Sequence, residues 1–365
     1  MNKNILKIGL WWNSLDKWIL SSTFILIIIG IFLILTSTDA FIRRNEINNN
    51  FLFTKHLLLV PIASLVILST STLSIKNLVS FSIFIFLVFS ILSIVPIIEN
   101  NSVKGASRWL YFNSFSIQPS EFLKPSFFVL SATLLSRYKK KNDYSFNISI
   151  LLTTFVGIIL FAQPDIGMLV LIFTTWFLLL VISGISSLFL VSVSLFGMSI
   201  FILAYFLLDH VKFRIHSFLF EDVGDSYQIL KSIKSFSSGG FFGKGLGEGE
   251  VSKNLPDSYS DFIFSVAAEE LGFFFICFII LLYIVIFFRC IYLAYYQNNL
   301  FIFLALTSLS ILFIMQSMIN ILSTINLIPT KGMTLPFLSY GGSSLISSSM
   351  TIGFILSLVK KKYER

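Results

Sequence analysis

Runs of about twenty apolar residues, separated by short polar breaks, fill the chain from Trp18 onward. At 1.5 Å per residue a helix of that length crosses a hydrocarbon layer about 30 Å thick. The runs fall near 18–37, 56–74, 78–97, 121–136, 148–163, 165–184, 187–208, 264–288, 300–322 and 343–359. They predict an all-α integral membrane protein with about ten transmembrane helices, a single polytopic domain over 1–365. The first run follows a mixed stretch with Lys3, Lys7 and Lys17 and extends to about Ser37. It is too long for the apolar part of a signal peptide, so it is read as a retained span.

One connection is long, roughly Asp209 to Asp261 between spans seven and eight, and it mixes apolar positions with Lys212, Arg214, Lys231, Lys234 and Lys244. A segment of this kind is expected to lie at the membrane interface and to cover or line a site there.

Composition removes the soluble alternative: 56% of residues are apolar, 12% are charged, and mean hydropathy is +0.88. The two cysteines, Cys277 and Cys290, lie in or beside one apolar run, which argues against a disulfide framework. An even number of spans puts both termini on one side. With the long loop set aside, as the positive-inside rule directs, that side holds most of the Lys and Arg, including the Arg137–Lys141 run, so the termini are expected in the cytoplasm. The net charge of +8 then reads as a topology signal. Nucleic-acid binding would need a basic groove interleaved with aromatics, and the sequence offers none. The acids are distributed the other way, with Asp39, Asp165, Asp209, Asp257 and Asp261 among those at the outer side, so chemistry is expected on the outer face.

Five stretches carry candidate chemistry. "GGFFGKGLGEGE" sets six glycines beside Lys244; it is either a tight turn or a place where main-chain N–H groups approach a pyrophosphate. In "ASRWLYFNSFSIQPSEFLKPS", Glu121 and Lys124 sit three residues apart at the start of a span and suit an internal ion pair, while Arg108 suits an anionic head group. "AQPDIG" puts Asp165 at a corner between two spans, as a cap or a ligand contact. "INLIPTKGMTLPFLSYGGSSL" predicts broken backbone, tolerated at membrane depth only where it is enclosed or lines a cavity, and Lys331 is its one charge.

The fifth stretch, "NLPDSYSDFIFSVAAEELG", crowds four carboxylates before and into a span. With a helix starting near Asp261, Glu270 lies about 180° round and roughly 13 Å along it, and Glu269 about 80° round. The paired-carboxylate geometry of a glycosidase is therefore not supplied by this segment. Asp261 is left at the outer mouth, with Glu269 and Glu270 expected deeper, paired or hydrogen-bonded inside the bundle.

Together "QPSEFLK", "AQPDIG", "YQILKSIKSFSSGGFFGKGLGEG", "LPDSYSDFIFSVAAEELG" and "IPTKGMTLPFLSYGGSS" resemble the SEDS family of ten-span proteins, in chain order over about residues 100–350. The Pro-Thr-Lys-Gly form around Lys331 is similar to the division branch, FtsW, and the "LPDSYSDFIF" form to its alphaproteobacterial members. The first hundred residues match only as generic spans. The resemblance implies a peptidoglycan glycosyltransferase of the bacterial inner membrane, at the division septum. It would polymerise lipid II and pair with a class B penicillin-binding protein and other division-complex proteins. The family's essential aspartate falls on Asp261, which would act as the base, with Arg108, Arg214, Lys244 and Lys331 as the pool of cations for the leaving pyrophosphate. A divalent cation, Mg or Mn, is admitted as a helper. The competing readings are a lipid II flippase, a RodA-like elongation polymerase and a non-catalytic division scaffold.

Overall fold

The computed structural model describes residues 3–45, 51–99, 107–112, 115–139, 143–219, 226–329 and 332–360. Helix α1 (Lys3–Ser14) leads into α2 (Lys17–Asn45), α3 (Phe51–Ser71) and α4 (Ile75–Glu99). A small antiparallel hairpin, β1 (Leu110–Phe112) with β2 (Phe115–Ile117), pairs Leu110 with Ile117 and precedes α5 (Pro119–Tyr138). Then come α6 (Asp143–Ala162), α7 (Ile166–Ile182) and α8 (Ser187–Leu207). The long connection folds into α9 (Asp209–Leu219), α10 (Ser226–Gly239), a glycine turn and a 3-10 turn at Ser252–Asn254. The chain continues as α11 (Ile263–Leu271), α12 (Phe273–Tyr295), α13 (Leu300–Thr324) and α14 (Gly342–Val359).

Among the described residues, eight helices are long and apolar enough to cross a membrane: α2, α3, α4, α6, α8, α12, α13 and α14. Two further windows are filled by α7, apolar but only 17 residues long, and by α5, whose 20 residues include Glu121, Lys124 and Arg137. Helix α5 tolerates its charges because it is central, wedged between α4 and α13 with Glu121 and Lys124 both buried. Helix α14 runs along α3, and α12 lies between α13 and α2. The apolar windows of α13 and α14 are 72% and 89% buried against 11% for α8. The core is therefore α5, α13 and α14, and α8 stands at the rim with only Ala204 buried.

Several ends are tied together on one face. Arg289 near the end of α12 binds Asp16 at the start of α2 (Nε–Oδ2 2.9 Å), Lys139 after α5 reaches Gly184 O at 2.9 Å, and Lys360 reaches Leu73 O at 3.2 Å. Asp16 also caps α2, accepting from Trp18 and Ile19 N–H. The polar loops with the candidate chemistry gather at the opposite end.

The structure corrects one predicted span. The 264–288 window is two helices, broken at Gly272, whose φ is +82°. A side chain there would collide with the main chain of Phe242 and Gly243, because the glycine turn docks against the break. The long apolar helix begins only at Phe273, so Glu269 and Glu270 lie ahead of it, on the short helix α11, where both are buried.

Candidate functional site

At the end away from the tied termini, a cavity of about 790 Å³ opens among the ends of α3, α5, α7, α13 and α14 and the segment before α11. Of the residues singled out in the sequence, Asp261, Arg108, Asp165 and Glu121 all line it. Asp261 is half-buried in a turn closed by Asp257, whose carbonyl accepts from the N–H groups of Ser260, Asp261 and Phe262. Asp257 itself has φ +52°, a left-handed conformation uncommon outside glycine. Its side chain shares the cavity. The same cavity also holds the cations Arg108 and Lys55.

Arg108 is fixed before the hairpin. Its Nη2 donates to Pro164 O at 2.7 Å and its Nε lies 3.5 Å from Asp165 Oδ2. Asp165 is both the N-cap of α7, accepting from Met168 N–H at 3.2 Å, and the partner of Gln118 Nε2 at 3.2 Å. Cap and ion pair thus use different oxygens of one carboxylate, and the guanidinium is oriented at the cavity wall with donors beyond those two contacts.

Beneath the cavity lies a buried polar layer. Lys124 Nζ is 2.6 Å from Glu121 Oε2 and donates to Gln316 Oε1 at 2.8 Å. Gln316 Nε2 in turn donates to Thr334 O at 3.2 Å. The pair joins α5 to α13 and to the loop before α14, so its ammonium is already engaged inside the bundle.

Tyr259 and Tyr340 form an aromatic wall with ring centroids 5.7 Å apart and edge-to-face geometry. Burial, then the charges of Asp257 and Asp261, push the Tyr259 hydroxyl above the usual phenol range, and burial raises Tyr340 to about 12. Neither phenol ionises near neutral pH, so both remain donors. These two residues, with Lys55, were missed in the sequence; a lysine at the head of an apolar helix and aromatics in loops carry no periodic signal.

Lys244 is not part of this cavity. The glycine turn folds onto α11, with Lys244 N–H donating to Glu269 O at 3.0 Å and Gly245 N–H to Glu270 O at 2.9 Å. The Lys244 ammonium pairs with Glu269 at 3.2 Å and Glu250 at 3.4 Å. In this structure its partners are carboxylates of the protein, outside the cavity that holds Asp261. Glu269 also accepts from Glu250 N–H and Val251 N–H at 3.0 Å, Ser252 N–H at 2.7 Å and Ser238 Oγ at 2.9 Å. Burial alone would raise its pKa, but the Val251 and Ser252 N–H groups and the Ser252 and Ser238 hydroxyls outweigh it and hold the carboxyl at about 2. Glu270 accepts from Thr36 Oγ1 at 2.8 Å, and burial dominates, raising its pKa. Arg214 lies on α9, with its side chain outside the described residues, as is Lys331 altogether.

Among the described residues no three His, Cys, Asp or Glu side chains gather in a way that would hold a metal ion. A Mg²⁺ or Mn²⁺ in the cavity would have to take most of its ligands from substrate phosphates, a mode Mg²⁺ commonly uses.

Residues 17–364 match the family model for the FtsW, RodA and SpoVE proteins, described as cell cycle proteins. A relative from Caulobacter vibrioides, named as a probable peptidoglycan glycosyltransferase FtsW, is 38% identical over 97% of this chain and 92% of its own. A protein of the same name from Borreliella burgdorferi is 33% identical over 95% of this chain and 97% of its own. Among solved structures, a chain of a peptidoglycan synthase complex that coordinates polymerization and crosslinking superposes with TM-score 0.78 at 22% identity, covering 96% of this chain and 99% of that one. Thermus thermophilus RodA superposes at 0.71 and 22% identity, over 97% and 99%. These two likenesses establish the fold.

Proposed function

Because the chain belongs to the FtsW/RodA/SpoVE family of cell cycle proteins, we propose that it is a membrane-embedded peptidoglycan glycosyltransferase of the FtsW kind, joining lipid II into glycan strands during division. The observation that carries the reading is Asp261, half-buried in a cavity at the end of the bundle that also holds Arg108 and Lys55. In this reading Asp261 takes the proton from the 4-hydroxyl of the acceptor sugar. The freed oxygen attacks the anomeric carbon of the donor, the bond from that carbon to the pyrophosphate breaks, and the lipid pyrophosphate leaves with inversion. Arg108, oriented by Pro164 and Asp165, meets the charge that develops on the leaving group. Lys55 and the Lys331 loop are the further candidates for that role. A divalent cation bound with the substrate would add charge stabilisation at the same place; proton removal by Asp261 does not depend on it.

The distribution of Lys and Arg supports cytoplasmic termini, which puts the cavity at the outer leaflet, where a lipid-linked disaccharide is presented. A class B penicillin-binding protein is the partner that the reading requires for crosslinking, and the septum the place of action. The test is lipid II polymerisation by purified protein, alone and with that partner. Asp261→Asn keeps the size of the side chain and removes its capacity to accept a proton. It should lower the rate at least about a hundredfold while expression and partner binding persist. Polymerisation at the unmodified rate would overturn the base assignment; lipid transfer across the membrane without any polymer would point to a flippase.

A further inference from the structure

We propose that Asn320 is a positioning residue for Asp261: one amide group of α13 holds the base and the loop leading to α14 at a fixed separation. The proposal rests on the reading of Asp261 as the base.

Between Pro256 and Phe262 the chain runs as irregular turns, and its carbonyls need partners from elsewhere. Three consecutive carbonyls are each taken by a different donor. Tyr259 O accepts from Tyr340 N–H at 2.8 Å, Ser260 O from Ser339 Oγ at 2.5 Å, and Asp261 O from Asn320 Nδ2 at 2.9 Å. The first two donors belong to the loop before α14 and the third to α13. Asn320 does more than close the series, because the same NH2 group donates to Met333 O at 2.6 Å. Its two N–H bonds therefore go to the two segments that face each other across the base. Those segments are close: a Cβ placed on Gly332 would sit 3.4 Å from Asp261 Oδ2.

The side chain is 1% exposed, and its Oδ1 is buried without a partner. A flipped amide would set that oxygen against two carbonyl oxygens, so the donors' orientation is dictated by their acceptors. An unpaired buried acceptor is unfavourable, and the fold keeps it in exchange for both bonds. The carboxylate that must meet a hydroxyl proton is thus set by its own main chain, which is bonded on both sides: N–H to Asp257 O, carbonyl to Asn320. Loss of that tether shifts the base relative to the loop, and displacement of a reacting group by about 1 Å costs on the order of a hundredfold in rate.

The test is a double-variant cycle in lipid II polymerisation by the full-length protein with its crosslinking partner. Asn320→Asp removes both N–H donors at constant size, and Asn320→Ala, which removes them without adding a carboxylate beside the base, must show the same pattern. It should lower kcat about a hundredfold, with KM for lipid II within about threefold, since the loss lies in the transition state and not in uniform binding. Added to Asp261→Asn it should lower the residual rate no further, because its whole effect passes through that carboxylate. A kcat within about threefold of the unmodified protein, a loss carried by KM, or a fully multiplicative loss in the double variant would each overturn the proposal. Should Asn320→Asp fail to accumulate as folded protein, Asn320→Ala, which removes the same two donors without adding a charge, decides in the same cycle under the same criteria. If Asp261→Asn is fully active, the base assignment falls first and takes this proposal with it. If Asp261→Asn is inactive and Asn320→Asp is fully active, only the positioning role falls.

Discussion

Glu269 receives the main-chain N–H of Ser252 at 2.7 Å, and this contact fastens the end of the long connection between α8 and α11 to α11 itself. The carboxylate is fully buried and also meets Lys244. Replacing its charge leaves several donors converging on a neutral group. Glu269→Gln should therefore cost about 3 kcal/mol, read as a lower melting temperature and faster proteolysis between Gly239 and Asn254. The rate per folded molecule should change less than the amount of folded protein.

The same group gives the long connection a pH dependence of definite sign. Its pKa is lowered from 4.5 to about 2 in the folded protein. The stabilisation it contributes is present above the unfolded value and is lost as the pH falls from about 4.5 toward 2. Hydrogen exchange at the Glu250, Val251 and Ser252 amides, corrected for intrinsic rates, should accelerate across that window. In Glu269→Gln the acceleration should be absent.

The buried pair in α5 yields a second stability prediction. Lys124→Met strands Glu121 without a cation in the bundle interior, at a cost of about 3–5 kcal/mol. Replacing both, as Glu121→Gln with Lys124→Met, should recover most of that loss. Thermal unfolding in detergent measures each step, and additive losses in the double variant would contradict the pairing.

Lys331 is read as a ligand of the lipid pyrophosphate. Lys331→Ala should raise the lipid II concentration needed for half-maximal polymerisation by about tenfold, the size expected for one charge-assisted hydrogen bond. The melting temperature should stay within a few degrees. A destabilised protein with unchanged activity per folded molecule would make the lysine structural.

The proposed cytoplasmic placement of the termini makes a labelling prediction. In a background with Cys277 and Cys290 replaced, single cysteines at Ser237 and Ser226 should react with an impermeant maleimide from outside. One at Asn142 should react only after the cells are opened.

Much of this architecture is legible in the residues themselves, because apolar runs bounded by polar breaks survive any packing arrangement. The break at Gly272 was not. A single glycine inside a run that continues "FFFICFII" looks like ordinary helix, and its left-handed conformation follows from the glycine turn that docks there from thirty residues upstream. The protein partner of Lys244 is hidden for the same reason: Glu269 is 25 residues away, and charge next to glycine says nothing about which anion is nearby. Asp261 stood out because a carboxylate before an apolar run is costly and conspicuous. Asn320 and Ser339 did not, because side chains that bond main-chain carbonyls are invisible until the carbonyls have positions.

The end of the glycine turn and the residues just past it form a receptor for an anion, and the receptor arrives filled. The Lys244 ammonium and the N–H groups of Glu250, Val251 and Ser252 close on Glu269, a carboxylate carried by the same chain and held at an effective concentration that a diffusing phosphate does not match. Phosphate, pyrophosphate and acidic lipid head groups should all compete poorly for this turn. The part of the molecule that most resembles a phosphate cradle is thereby the part least able to hold one.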